Sequence, residues 1–359
     1  MESPNRTRNY AVDELRGWAA LLVLFYHSVH TGAKAVGVNG GHLVSGNNPF
    51  AALIYEGHTG VALFMVLSGY ILASGTFGKD ISYAGFIRNR ALRIFPLMIV
   101  VLIFALCASK ENLSLGRILA PFLLLANTNA AFTDPTGLAS TVWTISVEFQ
   151  FYLIAPFLFL FVDRRGMKFL LSAVLLFWLL RMVIFLRLLD DPYDMARIGY
   201  FTIAGRINEF MIGIGLAYMV DRRVINLAGN RTVAFVWLAA SSVVILAGMM
   251  AINNSGGTIK GPWRFIYPEI EGLLEASFIA AYLTARPFQD FSIGRAVQAI
   301  GTVSFSLYIL HYALVGEFWG VIYKHMFDGL LTGVNGILIA TCIIAVPIVA
   351  MAALSYWCI

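Results

Sequence analysis

Ten apolar runs, most of them near membrane-spanning length, constrain this chain more than any other feature of its sequence. A stretch of about 20 apolar residues satisfies its backbone polar groups within its own helix, as hydrocarbon requires of a crossing segment. The runs fall at roughly 18–30, 58–75, 94–108, 143–162, 169–187, 199–220, 232–252, 265–284, 298–316 and 331–356. The first is short in these bounds and either begins near Leu15 or continues past His30. Of 359 residues, 59% are hydrophobic and 13% charged, whereas soluble domains are about one-quarter charged. The fold class is therefore all-α: a polytopic integral membrane bundle of about ten transmembrane helices plus a short or re-entrant segment. That extra segment is ILAPFLLLANTNAAF, residues 118–132, which is short and carries Pro121.

The charges follow the same plan. With ten crossings, fifteen of the 25 Lys and Arg residues lie on the face holding the N terminus, and eight lie on the other. Arg181 and Arg206 fall inside runs. Such a bias places both termini in the cytoplasm. The net charge of +5 is thus topological, and no nucleic-acid partner is expected. Asp13, Glu14 and Arg16 precede the first run, which lacks a small-residue cleavage site and does not read as a signal peptide. Cys107, Cys342 and Cys358 show neither disulfide nor metal-ligand spacing, so no metal is expected.

Ionisable groups inside apolar runs are functional candidates. Arg16 and His27 open the set, in LRGWAALLVLFYHSVH, roughly 16 Å apart along a helix axis. This spacing puts the arginine at the cytoplasmic lip and the histidine near the bilayer midplane. Glu148, in TVWTISVEFQFYLIAP, either meets the His27 imidazole, fixing its tautomer, or makes a helix–helix hydrogen bond. Gln150 and Trp143 line the same cavity, or Trp143 serves as an interface anchor. Ser68, among Gly57, Gly60 and Gly69, reads as a packing residue or a hydrogen-bonding partner, with no adjacent base to make it a nucleophile. Arg88, Arg90 and Arg93, in FIRNRALRIFP, either anchor the inner face or grip the phosphates of a cytoplasmic ligand.

In the later runs, Arg206 and Glu209 form an i,i+3 pair that neutralises itself. Glu271 and Glu275 share a face, and one of them meets Arg181 or a water-filled cavity. His311, late in its run, sits near the outer side as an interfacial or acceptor-binding group. No Walker lysine, dinucleotide fingerprint or zinc pattern occurs, so nucleotide hydrolysis and hydride transfer have no support.

Five stretches resemble, in order, the membrane-bound acyltransferase 3 family, which includes bacterial surface-polysaccharide O-acetyltransferases. They are DELRGWAALLVLFYH (13–27), GVALFMVLSGYIL (60–72), FIRNRALRIFP (86–96), WTISVEFQFYLIAP (143–156) and SFSLYILHY (304–312). The resemblance implies a single transmembrane acyltransferase domain over 1–359, with no fused extracytoplasmic domain. It implies an O-acyltransferase of the bacterial inner membrane, taking acetyl from cytoplasmic acetyl-CoA. The acceptor would be a sugar hydroxyl of an exopolysaccharide, O-antigen or lipid-linked glycan; acyl-CoA, that glycan and membrane lipids are the partners. Its motifs fall on Arg16 and His27, on Arg88, Arg90 and Arg93, and on Glu148. His27 would act as general base oriented by Glu148, or would carry the acyl group itself. Arg16, Arg88, Arg90 and Arg93 would hold the donor, while Trp143, Ser68, Gln150 and His311 would contact the substrate. Two positions depart from the family pattern: Ala313 replaces a proline after the late histidine, and the chain ends at SYWCI without the usual acidic residue and proline. The rival reading is a transporter or flippase for a sugar-linked lipid, weakened by the lack of an evident inverted repeat.

Overall fold

The computed structural model describes residues 9–37, 43, 46–108, 115–127, 141–189, 191–256, 265–325 and 334–358. Among the described residues every regular element is a helix. The first half holds α1 (Tyr10–Ala35), α2 (Pro49–Tyr55), α3 (Gly60–Ser74), α4 (Tyr83–Ala108), α5 (Leu115–Phe122), α6 (Val142–Arg165) and α7 (Met167–Arg187). The second holds α8 (Pro192–Phe201), α9 (Ile203–Asp221), α10 (Arg231–Asn254), α11 (Tyr267–Ala285), α12 (Ser292–Thr302), α13 (Ser304–His325) and α14 (Val334–Cys358).

Six stretches are long and apolar enough to cross a membrane: Gly57–Ser74, Val142–Arg165, Met167–Arg187, Asp194–Asp221, Arg231–Asn254 and Asn335–Cys358. A seventh results if α12 and the following Ser304–Val321, bent by 79° at their junction, are taken together. The protein is therefore an all-helical, multi-spanning membrane bundle. Helices α1, α4 and α11 are 26, 26 and 19 residues long, but histidines and charges in α1, arginines in α4 and glutamates in α11 interrupt their apolar sequences. The short segment expected at 118–132 begins as the end of α5 and turns at Leu124, while 128–132 lie outside the described residues.

Helices α7 and α10 lie outermost, with Leu171, Leu175, Leu179, Val233, Val236 and Val243 exposed on surfaces suited to lipid chains. The inner helices approach closely through small residues, the usual device where lipid supplies no hydrophobic drive. At the α3–α9 crossing, a Cβ at Gly69 would overlap the Phe210 carbonyl, and one at Gly213 the Val66 carbonyl. At the α1–α12 crossing, a Cβ at Gly301 would overlap the Asp13 carbonyl.

The arginine-rich ends gather on one face. Arg222 there meets Asp163 at 2.8 Å, and Arg231 donates to the Ala285 carbonyl at 3.2 Å. At the opposite end, Asn253 donates to the Leu43 carbonyl at 2.7 Å and to Glu56 at 2.9 Å. Two breaks tune the spans between these faces. Thr202 separates α8 from α9, its hydroxyl accepting from the Gly205 N–H at 3.4 Å. Val303 ends α12, so α13 starts afresh at Ser304.

Candidate active site

A cavity of about 140 Å³ opens between α1, α3, α4, α6, α9 and α13. Its walls run from Leu72 and Tyr152, near the arginine-rich face, to Val61 and Thr144. Eleven residues of α3 separate Leu72 from Val61, roughly 16 Å at 1.5 Å per residue. Arg16, Arg90 and Arg93 line this cavity with a single carboxylate, Glu148. Three guanidiniums against one carboxylate leave a cationic chamber in a low-dielectric setting, where an anion is held far more strongly than in water.

Each of these groups is positioned. Glu148 accepts hydrogen bonds from the Ser68 hydroxyl at 3.3 Å and from the Tyr152 hydroxyl, one helical turn on. Arg90 stands 5.8 Å from the Phe86 ring centroid and 6.0 Å from that of Tyr152. Its Nε is buried without a hydrogen-bond partner, leaving a donor unused. Arg93 is exposed at the mouth.

Beyond the deep end of the cavity lies a pair of imidazoles. Ser304, Phe305 and Tyr308 of α13 line the cavity; His311, nearly one turn further, lies 3.1 Å (Nε2) from Nδ1 of His27. Nδ1 of His311 is 2.7 Å from the Tyr308 carbonyl, and Nδ1 of His27 is 3.0 Å from the Val23 carbonyl. A carbonyl oxygen only accepts, so both Nδ1 atoms carry hydrogen. In the neutral pair His311 Nε2 is then an acceptor shared with the Val23 carbonyl, and His27 Nε2 holds the lone pair. Tyr26 and Tyr312 meet the His27 ring edge-on, with centroids 4.9 and 5.1 Å away.

This arrangement corrects the expected contact between Glu148 and His27. Of the two readings of Glu148, the helix–helix hydrogen bond holds and the His27 contact does not: its partners are Ser68 of α3 and Tyr152, and it lines the cavity with Arg16, some 16 Å down the α1 axis from His27. The partner of His27 is His311, which is 1% exposed. The break at Val303 places His311 two turns into α13.

Three other expected residues lie outside the cavity. Gln150, two residues past Glu148 and so about 200° around α6, exchanges hydrogen bonds with Asn127 at 3.1 and 3.2 Å and donates to the Leu124 carbonyl. Trp143 packs against Tyr200 and Phe201, with centroids 5.4 and 4.7 Å away. Arg88 is exposed and outside the cavity, being offset by two residues from Arg90. Ser68, Arg16, Arg90, Arg93 and Glu148 do converge.

Residues that the sequence reading passed over complete the surroundings. Tyr152 and Tyr308 line the cavity; their i+4 spacing from Glu148 and i−3 spacing from His311 was the available signal. On the far side of His27, the Tyr26 ring lies 4.3 Å from His30 and 5.4 Å from His58. His58 in turn lies 5.8 Å from Tyr200 and forms an ion pair with Glu56 at 3.6 Å when protonated. These half-buried rings ring the histidine pair at the end away from the arginines.

Between α9 and α11 runs a buried ionic network. Arg206 meets Glu209 at 2.5 Å, as the i,i+3 spacing led one to expect, and Glu271 at 3.6 Å. Thr59 donates to Glu271 at 2.6 Å and lies 3.4 Å from Glu275. Arg181 meets neither of these carboxylates; it pairs with Glu269 at 2.5 Å, because Glu269 faces the other side of α11. Breaking such a pair strands a charge, so the network ties the α7, α9 and α11 layer to the start of α3. Among the described residues no cluster of His, Cys, Asp or Glu is arranged to hold a metal ion.

Comparison with known proteins agrees with this architecture. The family model described as an acyltransferase domain, Acyl_transf_3, matches residues 9–356. The chain is 26% identical over 348 residues to the peptidoglycan O-acetyltransferase OatA of Listeria monocytogenes, covering 85% of this chain and 49% of that protein. It is 26% identical over 338 residues to YrhL of Bacillus subtilis, covering 85% and 48% respectively. The acyltransferase MdmB of Streptomyces mycarofaciens shares 36% over 112 residues, 28% of each chain. The chain thus spans about half the length of OatA and YrhL, and no solved structure matches it. With the family model spanning nearly the whole helical bundle, this chain belongs to the acyltransferase 3 family.

Proposed function

We propose that the protein transfers acetyl from cytoplasmic acetyl-CoA to a sugar hydroxyl of a surface or lipid-linked glycan, in the bacterial inner membrane. The observation that carries this reading is the arginine-lined cavity that runs inward toward the His27–His311 pair. Ten crossings with both termini cytoplasmic fit it: the arginine-rich face, and with it the cavity mouth, is then on the side where acyl-CoA is found. The printed function of OatA, acetylation of a glycan polymer, supports the acceptor class.

Arg90, Arg93 and Arg16 hold the phosphates of the donor, matched by the unused Arg90 Nε donor. Glu148, held by Ser68 and Tyr152, is a positioning residue that fixes the guanidiniums around it. The pantetheine arm lies along the cavity and delivers the thioester toward His27. Nε2 of His27 takes the proton of the acceptor hydroxyl as its oxygen attacks the thioester carbonyl carbon. The C–S bond then breaks, and the thiolate leaves as CoA, taking the proton back. His311 Nε2 accepts the His27 Nδ1 hydrogen bond throughout, stabilising the imidazolium formed in between. The acceptor comes from the opposite end, where Tyr26, His58, Tyr200 and Trp143 offer flat apolar faces and polar edges to a sugar ring.

The test is mass-spectrometric detection of acetyl transfer from labelled acetyl-CoA to a panel of lipid-linked glycans by the purified protein. Wild type is expected to add one acetyl group, and folded His27→Ala none. Equal transfer by both would overturn the assignment of the base.

A further inference from the structure

The cavity has an end wall as well as a mouth. Phe64 and Tyr308 meet there edge to face, with ring centroids 6.1 Å apart. The Tyr308 ring is in turn 5.5 Å from that of His311, so this pair lines the end of the cavity nearest the histidines. Phe64 is only half-buried, whereas its neighbours Leu63 and Met65 are 3% and 4% exposed. The side wall beside it is fixed: Phe210 is fully buried and stacked on Phe151 with centroids 4.1 Å apart. The lining also changes character with depth. Arg90, Arg93, Arg16 and Glu148 give way to Val61, Phe64 and Phe210.

We infer that Phe64, braced by Tyr308, is the residue that sets the length of the acyl group the enzyme accepts. The inference rests on the donor reading above. With phosphates at the mouth and the thioester near the histidines, the acyl carbons reach the apolar end, where Phe64 leaves room for a short group only. Each methylene that a hydrophobic pocket accepts or refuses is worth about 10- to 200-fold in discrimination. An aromatic side chain packed against a second ring gives way less readily than a flexible one.

The experiment measures dissociation constants of CoA, acetyl-CoA, butyryl-CoA and hexanoyl-CoA by calorimetry on the detergent-solubilised full chain. Wild type, Phe64→Leu and Phe64→Ala are compared, each expressed as a ratio to its own affinity for CoA. In wild type, hexanoyl-CoA is expected to bind at least about ten-fold more weakly than acetyl-CoA. Phe64→Ala is expected to abolish or reverse that ratio, with the milder Phe64→Leu between them. CoA binding by wild type with the same chain-length profile in both variants would overturn the ruler alone. No binding of any CoA species to folded wild type would overturn the donor reading, and the ruler with it. Phe64→Leu, which conserves most of the packed volume, keeps the test decisive should the alanine variant fail to fold.

Discussion

Replacing His311 by alanine removes the group that accepts the His27 Nδ1 hydrogen bond at 3.1 Å, while the Val23 carbonyl at 3.0 Å remains. The ground state therefore keeps a hydrogen bond on Nδ1 and the correct tautomer. The transition state, in which His27 carries charge, loses one of its two acceptors. A hydrogen bond to a charged group contributes about 1.5–3 kcal/mol net. At 1.36 kcal/mol per decade, kcat is expected to fall about 10- to 150-fold. The KM for acetyl-CoA should stay within about two-fold, because the arginine chamber lies more than two helical turns from His27. His311→Gln, whose amide oxygen can accept in place of Nε2, should recover most of the loss. The assay is rapid-mixing measurement of CoA thiol release in the presence of the glycan found by mass spectrometry. A His311→Ala enzyme with unaltered melting temperature and kcat within two-fold of wild type would refute the paired-imidazole base.

The arginines should divide by position: Arg93→Ala is expected to weaken CoA binding at least about five-fold, and Arg88→Ala by less than two-fold, by calorimetry. Equal effects would dissolve the distinction between a chamber residue and a surface anchor. Arg206→Ala leaves Glu209 buried without its cation and should cost about 3–5 kcal/mol, read as a large fall in melting temperature in detergent. Gly213→Ala forces α3 and α9 apart where a Cβ would overlap the Val66 carbonyl; about 1–3 kcal/mol of destabilisation is expected, and an unchanged melting point would contradict the crossing.

Much of the bundle was legible in the sequence because hydrocarbon enforces long apolar helices, and each expected run falls on one or more of the helices observed. The Arg206–Glu209 pair was legible for a similar reason: residues three apart on a helix must be neighbours. What failed to read out was tertiary. Glu148 was expected beside His27 but bonds to Ser68 of α3, since a single sequence does not fix which helices cross or how far they slide. Gln150 and Arg88 were grouped with residues two positions away, which a helix sends to nearly opposite faces. The breaks at Thr202 and Val303 carry no proline, so neither was legible, and the pairing of His311 with His27 went unread with them.

As the proposed base, the histidine pair would also set how acyl transfer responds to the membrane's electric field. A charge displaced across the whole bilayer exchanges about 2.3 kcal/mol with each 100 mV, whereas a charge that stays in place exchanges none. Two neutral imidazoles couple to that voltage only while the proton is in transit. A cell that depolarises would slow or speed this step by little more than the fraction of the membrane the proton crosses, leaving acyl transfer nearly deaf to energisation.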